Sequence, residues 1–279
     1  MAEIGRINKL VVLKELAFGV YLDGENLGEI LMPRRYVPID CKPGDTVEAF
    51  IYFDSENRII ATTEKPHAQV GEFAMLKVIS VNAVGAFLDW GLLKDLLVPF
   101  REQKVKMQEG QWHIVYVYVD DKSNRIVASA KLDKHLNNLP PNYEISRAVD
   151  LLIYSQTDIG YKTIINNSHW GILYQNEVFQ PLEKGQKIKG YIKKIRDDKK
   201  IDLSLYPPGY EKIDGIAKAI FSKLQENKGF LDSTDKSPSE YIYQQFGVSK
   251  RVYKQAVGAL LKKGLIDIEP NGIRIILAE

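Results

Sequence analysis

The sequence is poor in the residues and runs that mark several classes of protein. Its 279 residues contain a single cysteine, Cys41, which excludes a disulfide framework and a cysteine-based metal site and fits a reducing compartment. No apolar run in it approaches the length of a membrane span, about 18 residues. The first residues, MAEIGRINKL, lack the apolar segment of a secretory signal. We therefore expect a cytoplasmic protein that does not associate with membranes.

Motifs for catalysis and for cofactor binding are also missing from the sequence. The four histidines are scattered, and the chain contains no P-loop, GxGxxG, Cys–His pair or metal-ligand spacing. The adjacent acids Asp120 and Asp121 have no third carboxylate or histidine at a useful spacing, so we interpret them as residues of a hairpin turn. We predict that the protein is not an enzyme and needs no cofactor, metal or small-molecule substrate.

The net charge of +2 conceals a trend along the chain. Counting Lys and Arg against Asp and Glu, residues 1–69 carry −3, residues 70–146 are neutral, residues 147–209 carry +3 and residues 210–279 carry +2. A polyanion would therefore be attracted preferentially to the second half of the chain.

A repeated phrase organises most of the sequence. The stretch VNAVGAFLDWGLLKDLLVP at 81–99 reads as strand, turn and strand. A similar phrase lies 66 residues upstream, and the landmarks that keep this spacing are Gly19, Pro33 and Gly44 with Gly85, Pro99 and Gly110. A weaker third copy follows about 75 residues downstream, beginning near Gly160, and the extra distance falls in a linker at 133–145 that contains Asn and Pro.

The length of each copy and the order of its strands indicate the fold. Each copy has 60 to 70 residues of short strands with turn signals, which suits a small closed barrel. The order of a glycine-aromatic strand, a GLLxP-like strand, a long strand and an RIxxS-like strand resembles the RNA-binding domain of ribosomal protein S1, an OB-fold. Three such copies followed by a basic helical segment resemble the conserved virulence factor B family of bacterial proteins. The resemblance implies a role in regulating gene expression, after transcription.

We predict a mainly β chain with a C-terminal α+β domain. Three tandem five-stranded, S1-like OB-fold barrels precede a winged helix-turn-helix. The predicted boundaries are 1–66 and 67–136 for the first two barrels, 137–209 for the linker and third barrel, and 210–279 for the winged helix.

Strand alternation predicts which side chains face outward. In the second copy Ala86 and Leu88 point to the core, which leaves Phe87 on the surface beside Gly85, a residue that would let a flat ring or a ligand approach the backbone. If the register is off by one residue, Phe87 belongs to the core instead.

Candidate RNA-binding residues in the first two copies combine rings that stack on bases with arginines that contact phosphates. They are Phe18, Tyr21, Arg34, Arg35 and Arg58 in the first copy, and Phe87, Arg101 and Arg125 in the second. The alternative for the acidic first copy is that Arg35 and Arg58 pair with local acids.

The third copy departs from the pattern, because Lys162 occupies the aromatic position and Thr163 replaces the branched core residue. Alternation places a row of cations and one tyrosine on one face of its long strand, which suits a polyanion. The alternative is a solvated face on a barrel. The candidates in this copy are Tyr161, Lys162, His169, Trp170, Lys187, Lys189, Tyr191, Lys193 and Lys200. We expect Ala at both Lys189 and Lys193 to weaken binding, and Phe87→Ala to matter less if the second copy is mainly a spacer.

After residues 207–209 the apolar period changes from two to 3.6. A first helix would bury Ile213, Ile216, Ala217, Ile220, Phe221 and Leu224. Ser237 to Glu240 reads as a capping box that opens a second helix ending at Gly247. Ser249 would cap a third, ending at Gly264, that turns inward Val252, Ala256, Val257, Leu260 and Leu261. A hairpin follows, which completes a winged helix.

The third helix of such a domain is the reader, and residues near its N-terminus make the contacts. The candidates are Lys250, Arg251, Tyr253 and Lys254, with Arg274 on the wing. Winged helices bind DNA, structured RNA or protein, so the fold alone does not decide the partner. Our hypothesis is a non-catalytic protein that binds single-stranded RNA through linked weak sites. The alternative is a DNA-binding transcription regulator that acts through the winged helix.

Overall fold

The computed structural model describes residues 1–175, 178, 181–205, 215–234 and 236–276. Its first barrel is closed, with strand order β1-β2-β3-β5-β4. The strands β3 and β5 pair in parallel and the remaining neighbours are antiparallel. The five strands are β1 (Ile7–Leu16), β2 (Gly19–Asp23), β3 (Glu29–Pro33), β4 (Thr46–Phe53) and β5 (Ile59–Thr62).

The second and third barrels repeat this plan. The second comprises β6 (Phe73–Val81), β7 (Gly85–Asp89), β8 (Leu96–Pro99), β9 (Trp112–Asp120) and β10 (Arg125–Ser129). Its sheet order is β10-β9-β6-β7-β8, and the two outer strands contact each other. The third comprises β11 (Ala148–Thr157), β12 (Gly160–Ile165), β13 (His169–Tyr174), β14 (Lys187–Ile195) and β15 (Ile201–Ser204), and closes in the order β11-β12-β13-β15-β14. The predicted fold class is confirmed.

The predicted alternation is confirmed in the first two barrels. Val20, Leu22, Ala86 and Leu88 are buried, whereas the rings between them lie half-buried on the outer side. In the third barrel Thr163 does take the core position, and its buried Oγ1 has no hydrogen-bond partner among the described residues.

The glycine that begins the second strand of each barrel has a different role from the one we predicted. A Cβ on Gly19, Gly85 or Gly160 would lie 2.2, 2.3 or 2.0 Å from the main-chain oxygen of the neighbouring strand. Glycine is therefore required because two backbones approach each other, and no ligand needs to be invoked.

Each barrel also contains a β-bulge that the sequence analysis did not identify. The register shifts between Val12 and Lys14 in β1, between Val78 and Ser80 in β6, and between Ile153 and Ser155 in β11. The bulges keep the 66- and 75-residue spacings of the repeat. A bulge re-aims the side chains around it, and these bulges lie beside the outer-face rings.

The C-terminal domain is the predicted winged helix. Its elements are α1 (Gly215–Glu226), β16 (Phe230–Leu231), α2 (Ser239–Phe246), α3 (Lys250–Lys262), β17 (Ile266–Glu269) and β18 (Gly272–Ile275), with sheet order β16-β18-β17. Helix α1 buries Ala217, Ile220, Phe221 and Leu224, and Ile216 packs against the same core, as predicted. Ile213 lies outside the described residues. No helix in the described ranges is long and apolar enough to cross a membrane.

Two predicted details of the helices are wrong. Helix α3 buries Tyr253 with Ala256, Val257 and Leu260, so its inward face is rotated and Val252 and Leu261 are exposed. The N-terminus of α2 has no side-chain capping hydrogen bond. The Ser237 hydroxyl instead accepts a hydrogen bond from the Thr234 N–H. Ser249 caps α3 through the Val252 N–H, and Gly247 adopts the left-handed conformation after α2, both as predicted.

The chain divides into two compact units. The first contains 1–139, 167–169 and 184–186, and the second contains 140–166, 170–183 and 187–279. In the first unit the rings of Phe50 and Trp90 meet edge to face, with 5.6 Å between centroids, so the first two barrels share a core. In the second unit the core of the third barrel continues into the winged helix. The four predicted domain boundaries stay a prediction.

Candidate nucleic-acid interface

The outer face of the first barrel carries rings that neighbouring side chains partly cover. Phe18 is 55% exposed, and its ring meets the half-buried Tyr21 edge to face at 6.4 Å. The Nζ of Lys14, the residue after the bulge, lies 4.8 Å from the centroid of Tyr21 and also pairs with Glu29. Tyr21 therefore already has a cation as its partner.

Most of the arginines of the first barrel are ion-paired. Arg34 pairs with Glu15, and Arg58 pairs with both Asp54 and Glu56. Arg35 lies 4.7 Å from the ring of Tyr36 and has no ion-pair partner within the described residues. The alternative that local acids neutralise this copy is thus correct for Arg58 and wrong for Arg35.

Asp54 holds Arg58 through several hydrogen bonds. Burial would raise the pKa of Asp54, but the main-chain N–H and the side chain of Arg58 both donate to its carboxylate and the pKa is lowered overall. Because the acid stays ionised, Arg58 keeps its partner at neutral pH.

The outer face of the second barrel is less covered. Phe87 is half-buried on β7, and in the described chain neither a cation nor another ring lies against it. Arg101 pairs with Asp120 at 2.7 Å. Arg125 is exposed, and within the described ranges it has no ion-pair partner. A hydrogen bond from the Ser123 hydroxyl, together with Arg101, lowers the pKa of Asp120. Asp120 ends β9 and the turn begins at Asp121, so of the two acids predicted for the turn only Asp121 lies in it.

A cleft of about 180 Å³ adjoins Phe87 and is lined by both barrels of the first unit. The first barrel contributes Phe53, at the end of β4. The second barrel contributes Phe87, Leu97 and Arg125, together with two charged residues that precede β8, Lys94 and Asp95. A ring, an apolar floor and a cation therefore meet in one concave place, which is the arrangement that a stacked nucleotide requires.

The equivalent face of the third barrel is closed by its own side chains. The Nζ of Lys162 lies 3.7 Å from the ring centroid of Trp170 and 5.7 Å from that of Tyr154. These two rings meet edge to face at 5.1 Å. Lys162 and Trp170 come together as candidates, but the cation occupies the ring that a base would use.

Three other candidates in the third barrel are buried, and we withdraw them from the interface. Tyr161 is buried in the core that the barrel shares with the winged helix. His169 is buried, with its Nε2 2.8 Å from the Leu139 carbonyl oxygen. Tyr191 is also buried, although alternation predicted it to be exposed among lysines. It occupies the ladder position of Phe50 in the first barrel, where the outer side of the strand is covered.

The lysines of the third barrel remain at the surface. Lys187, Lys189 and Lys193 are exposed on β14. Lys189 pairs with Asp150 and Lys200 pairs with Asp198, each at 2.8 Å. Exposed ion pairs of this kind are worth only about 0–1 kcal/mol, so these cations stay available to a polyanion.

The winged helix offers part of the predicted reading surface. Arg251 and Lys254 are exposed and Lys250 is half-buried at the N-terminus of α3. Tyr253 is fully buried, with its hydroxyl 2.7 Å from the Ser233 hydroxyl, so its assignment to the surface is wrong. Arg274 is ion-paired with Glu269 across the hairpin and lies 4.9 Å from the ring of Phe230.

Sequence reasoning missed Lys14, Phe53, Asp95 and Tyr154. Lys14 and Tyr154 lie at bulges, whose position could have been found by aligning the first strand of each copy. Phe53 could not have been found in this way, because it reaches the cleft only through the packing of one barrel against another. Among the described residues there is no group of three or more His, Cys, Asp or Glu side chains placed to hold a metal ion.

Comparison with known families agrees with this architecture. The S1 domain model matches residues 4–64 and 70–131, and the CvfB-like winged helix domain model matches residues 218–275. The chain is thus a protein of tandem S1 domains with a C-terminal winged helix, and both kinds of domain indicate a nucleic-acid partner. The third barrel is recognised by its strand order and its first-strand bulge.

Curated relatives extend the similarity along most of the chain. A Bacillus subtilis (strain 168) protein named "Uncharacterized protein YitL" is 27% identical over 268 residues, covering 91% of this chain and 87% of that protein. Conserved virulence factor B of Staphylococcus aureus (strain USA300) is 25% identical over 239 residues, covering 83% of this chain and 80% of that protein. Proteins named conserved virulence factor B are thus similar to this chain over most of its length, and its C-terminal domain matches the CvfB-like winged helix model.

A solved structure also matches along the chain. It is the crystal structure of a multidomain protein with nucleic acid binding domains from Streptococcus pneumoniae TIGR4, with 23% identity, a TM-score of 0.40 and 98% of each chain covered.

Proposed function

We propose that this protein binds single-stranded RNA without catalysing a reaction and acts in the bacterial cytoplasm as a post-transcriptional regulator. The observation that carries the proposal is the outer face of the second barrel. Phe87 is half-buried there and lines a cleft, and Arg125 lines the same cleft without an ion pair in the described chain. A ring that accepts any base and a cation that meets the phosphate are the means by which proteins hold single strands.

The first and third barrels and the winged helix add weaker contacts to this one. Arg35, the exposed lysines of β14 and the N-terminus of α3 each present positive charge. Linked sites raise one another's effective concentration, so modest modules produce tight binding together. Binding should therefore fall steeply as salt rises.

The direct test is fluorescence anisotropy of the full chain with labelled single-stranded RNA and with duplex DNA at two salt concentrations. We expect the single-stranded RNA to bind more tightly and its affinity to fall with salt. Phe87→Ala should reduce that affinity. Tyr118→Phe is the control, because Tyr118 lies on a strand of the same barrel but does not line the cleft, and this variant should keep the affinity of the native chain. Equal loss in both variants would contradict the assignment to Phe87.

A second candidate function is duplex DNA binding through α3. The exposed Arg251 and Lys254 at its N-terminus favour it, because this is the part of a recognition helix that meets the major groove. A preference for duplex DNA that is lost in Arg251→Gln and kept in Phe87→Ala would replace the RNA proposal with this one.

A further inference from the structure

The cleft in the first unit carries an additional polar group. Asp95 lines it together with Phe53, Phe87 and Arg125. The pairing of Leu88 with Leu96 places Asp95 one step further along the outer face, opposite Asp89. The cleft volume of about 180 Å³ is below the 300–1,000 Å³ of sites for drug-sized ligands, so it suits a single ring system and not a dinucleotide.

Contacts between the two barrels hold the cleft open without a ligand. The Lys94 Nζ donates a hydrogen bond to the Asp54 carbonyl oxygen of the first barrel, and the Trp90 Nε1–H donates to the Lys94 carbonyl oxygen, both at 2.6 Å. Trp90 is in turn fixed edge to face against Phe50. A pre-formed site loses little conformational freedom when a ligand enters.

Asp95 has no hydrogen-bond or ion-pair partner within the part of the chain that the structure describes. The residue 66 positions earlier, Glu29, pairs with Lys14. Ser80 takes the place of that lysine in the second barrel, so the partner is lost. Burial and then the neighbouring Asp89 raise the pKa of Asp95, as expected of a half-buried carboxyl group without donors.

We propose that this cleft holds one unstacked guanine of a single-stranded RNA, with the Asp95 carboxylate accepting hydrogen bonds from its N1–H and N2–H. The inference rests on the proposed function and names the base that the site selects. A carboxylate offers two acceptor oxygens and no donor. Guanine is the base whose Watson–Crick edge presents two adjacent donors, whereas cytosine, adenine and uracil each place an acceptor beside a single donor position. Proteins commonly read splayed RNA bases on this edge.

The remaining cleft residues fit the other parts of a nucleotide. Phe53 and Phe87 give the base an aromatic wall from either barrel, and Arg125 is placed for the adjoining phosphate. The negative charge of Asp95 would repel a phosphate, so a ligand that presents N–H donors to it is favoured over an anion.

The test measures how one guanine changes the affinity of the full chain. Labelled oligouridine of about eight nucleotides is compared with the same oligomer carrying one central guanine or one central adenine. We expect guanine to improve the affinity about tenfold and adenine to improve it much less. Asp95→Asn should remove the gain from guanine, so that the oligomer with guanine and oligouridine bind with similar affinity.

Glu29→Gln is the matched control, because it removes a carboxylate at the same position of the first barrel, and it should keep the preference for guanine. Thermal unfolding is measured for each variant, and Asp95→Ser replaces Asp95→Asn if the latter is unfolded. Equal gains from guanine and adenine would overturn the guanine inference and leave RNA binding intact. So would an Asp95→Asn variant that binds every oligomer more tightly by the same factor and keeps the preference for guanine, since Asp95 would then act only as a repelling charge. Failure of the native chain to bind any of the RNAs would reject both proposals.

Discussion

The first and second barrels have the same frame but distribute their charges differently over it. Arg58 directly precedes β5 and Arg125 begins β10, the equivalent strand. Arg58 is held by Asp54 and Glu56, whereas Arg125 has no ion pair in the described chain. The reverse holds for Arg35 and Arg101, the arginines that follow the third strand of each barrel. Arg35 is unpaired within the described residues and Arg101 binds Asp120.

One exchange of partners explains most of this difference. Asp54 directly follows β4 and Asp120 ends β9, the equivalent strand. Asp54 binds the arginine four residues after it, whereas Asp120 binds Arg101, which follows β8. The acid that neutralises the last-strand arginine in the first barrel is thus occupied elsewhere in the second. A repeated fold can therefore preserve its residue types and still leave a different arginine without an ion pair in each copy.

The outer-face rings of the barrels also differ in whether a cation covers them. Tyr21 has Lys14 over it, and Phe87 has a cleft beside it. In the third barrel Lys162 covers Trp170. In the second barrel, which is neutral by net charge, the ring at this position thus has no cation over it among the described residues.

The strongest effect should come from replacing the glycine that begins the second strand of a barrel, which tests whether the close approach of the two strands is essential for stability. Gly85→Ala and Gly19→Ala should each lower the free energy of unfolding by about 3 kcal/mol, because the new Cβ would meet a main-chain oxygen that cannot move aside. Urea denaturation measures the effect. Gly258→Ala is the control, since a Cβ there meets nothing within 4 Å in helix α3, and it should raise stability by about 0.5–1 kcal/mol. A Gly85→Ala variant as stable as the native chain would show that the strands can separate.

The next effect distinguishes the two rings. Phe87→Ala should weaken RNA binding about tenfold, which corresponds to the lower part of the roughly 1–3 kcal/mol range for one stacked base. Tyr21→Ala should cost less, because Lys14 already covers that ring. Anisotropy titrations of both variants against one oligomer measure this. If Tyr21→Ala lost the more affinity, the first barrel would be the main site.

A smaller effect separates the two arginines. Arg125→Gln should reduce the slope of log affinity against log salt by about 1, because one phosphate contact is lost. Arg58→Gln should leave the slope nearly unchanged, since Asp54 and Glu56 already neutralise that guanidinium. Titrations over a range of salt concentrations give both slopes, and identical slopes for the two variants would remove the proposed distinction.

The smallest effect concerns acid. The folded pKa of Asp54 lies below its ordinary value, so its carboxylate contributes stability that is present above the unfolded pKa of about 4 and is lost as the pH falls through the folded pKa. The native chain should therefore lose more stability between neutral pH and about pH 3 than Asp54→Asn does. Urea midpoints at the two pH values measure this. A variant that retained the full acid sensitivity would assign the effect to other carboxyl groups.

Much of the architecture could be predicted because it depends on local patterns. The 66-residue spacing of Gly19 and Gly85 reveals the repeat. The alternation around Tyr21 and Phe87 follows from the period of a strand, and the change to a 3.6-residue period predicts the helices of the C-terminal domain. These patterns involve neighbours in sequence, and they predicted the fold class and the direction of Tyr21 and Phe87 correctly.

Whether a side chain is exposed to solvent was less predictable than the side of the strand or helix on which it lies. Alternation gave Tyr191 the same face as Lys189, but that face is covered where Tyr191 lies. Helix α3 buries Tyr253 in place of Val252, because the hydroxyl of Tyr253 finds a partner in Ser233 from a preceding segment. Whether a side chain is covered depends on elements distant in sequence, which a periodic pattern does not contain.

Local sequence patterns are enough to predict the repeat, the barrels, the winged helix and the outward direction of Tyr21 and Phe87, because each of these is a property of consecutive residues. The folded arrangement is needed to know which arginine keeps an ion pair, which ring is covered and where the cleft forms. The physical reason is that ion pairs, ring contacts and cavities join residues from separate strands and from separate barrels, and their energies depend on distances that exist only after the chain has folded.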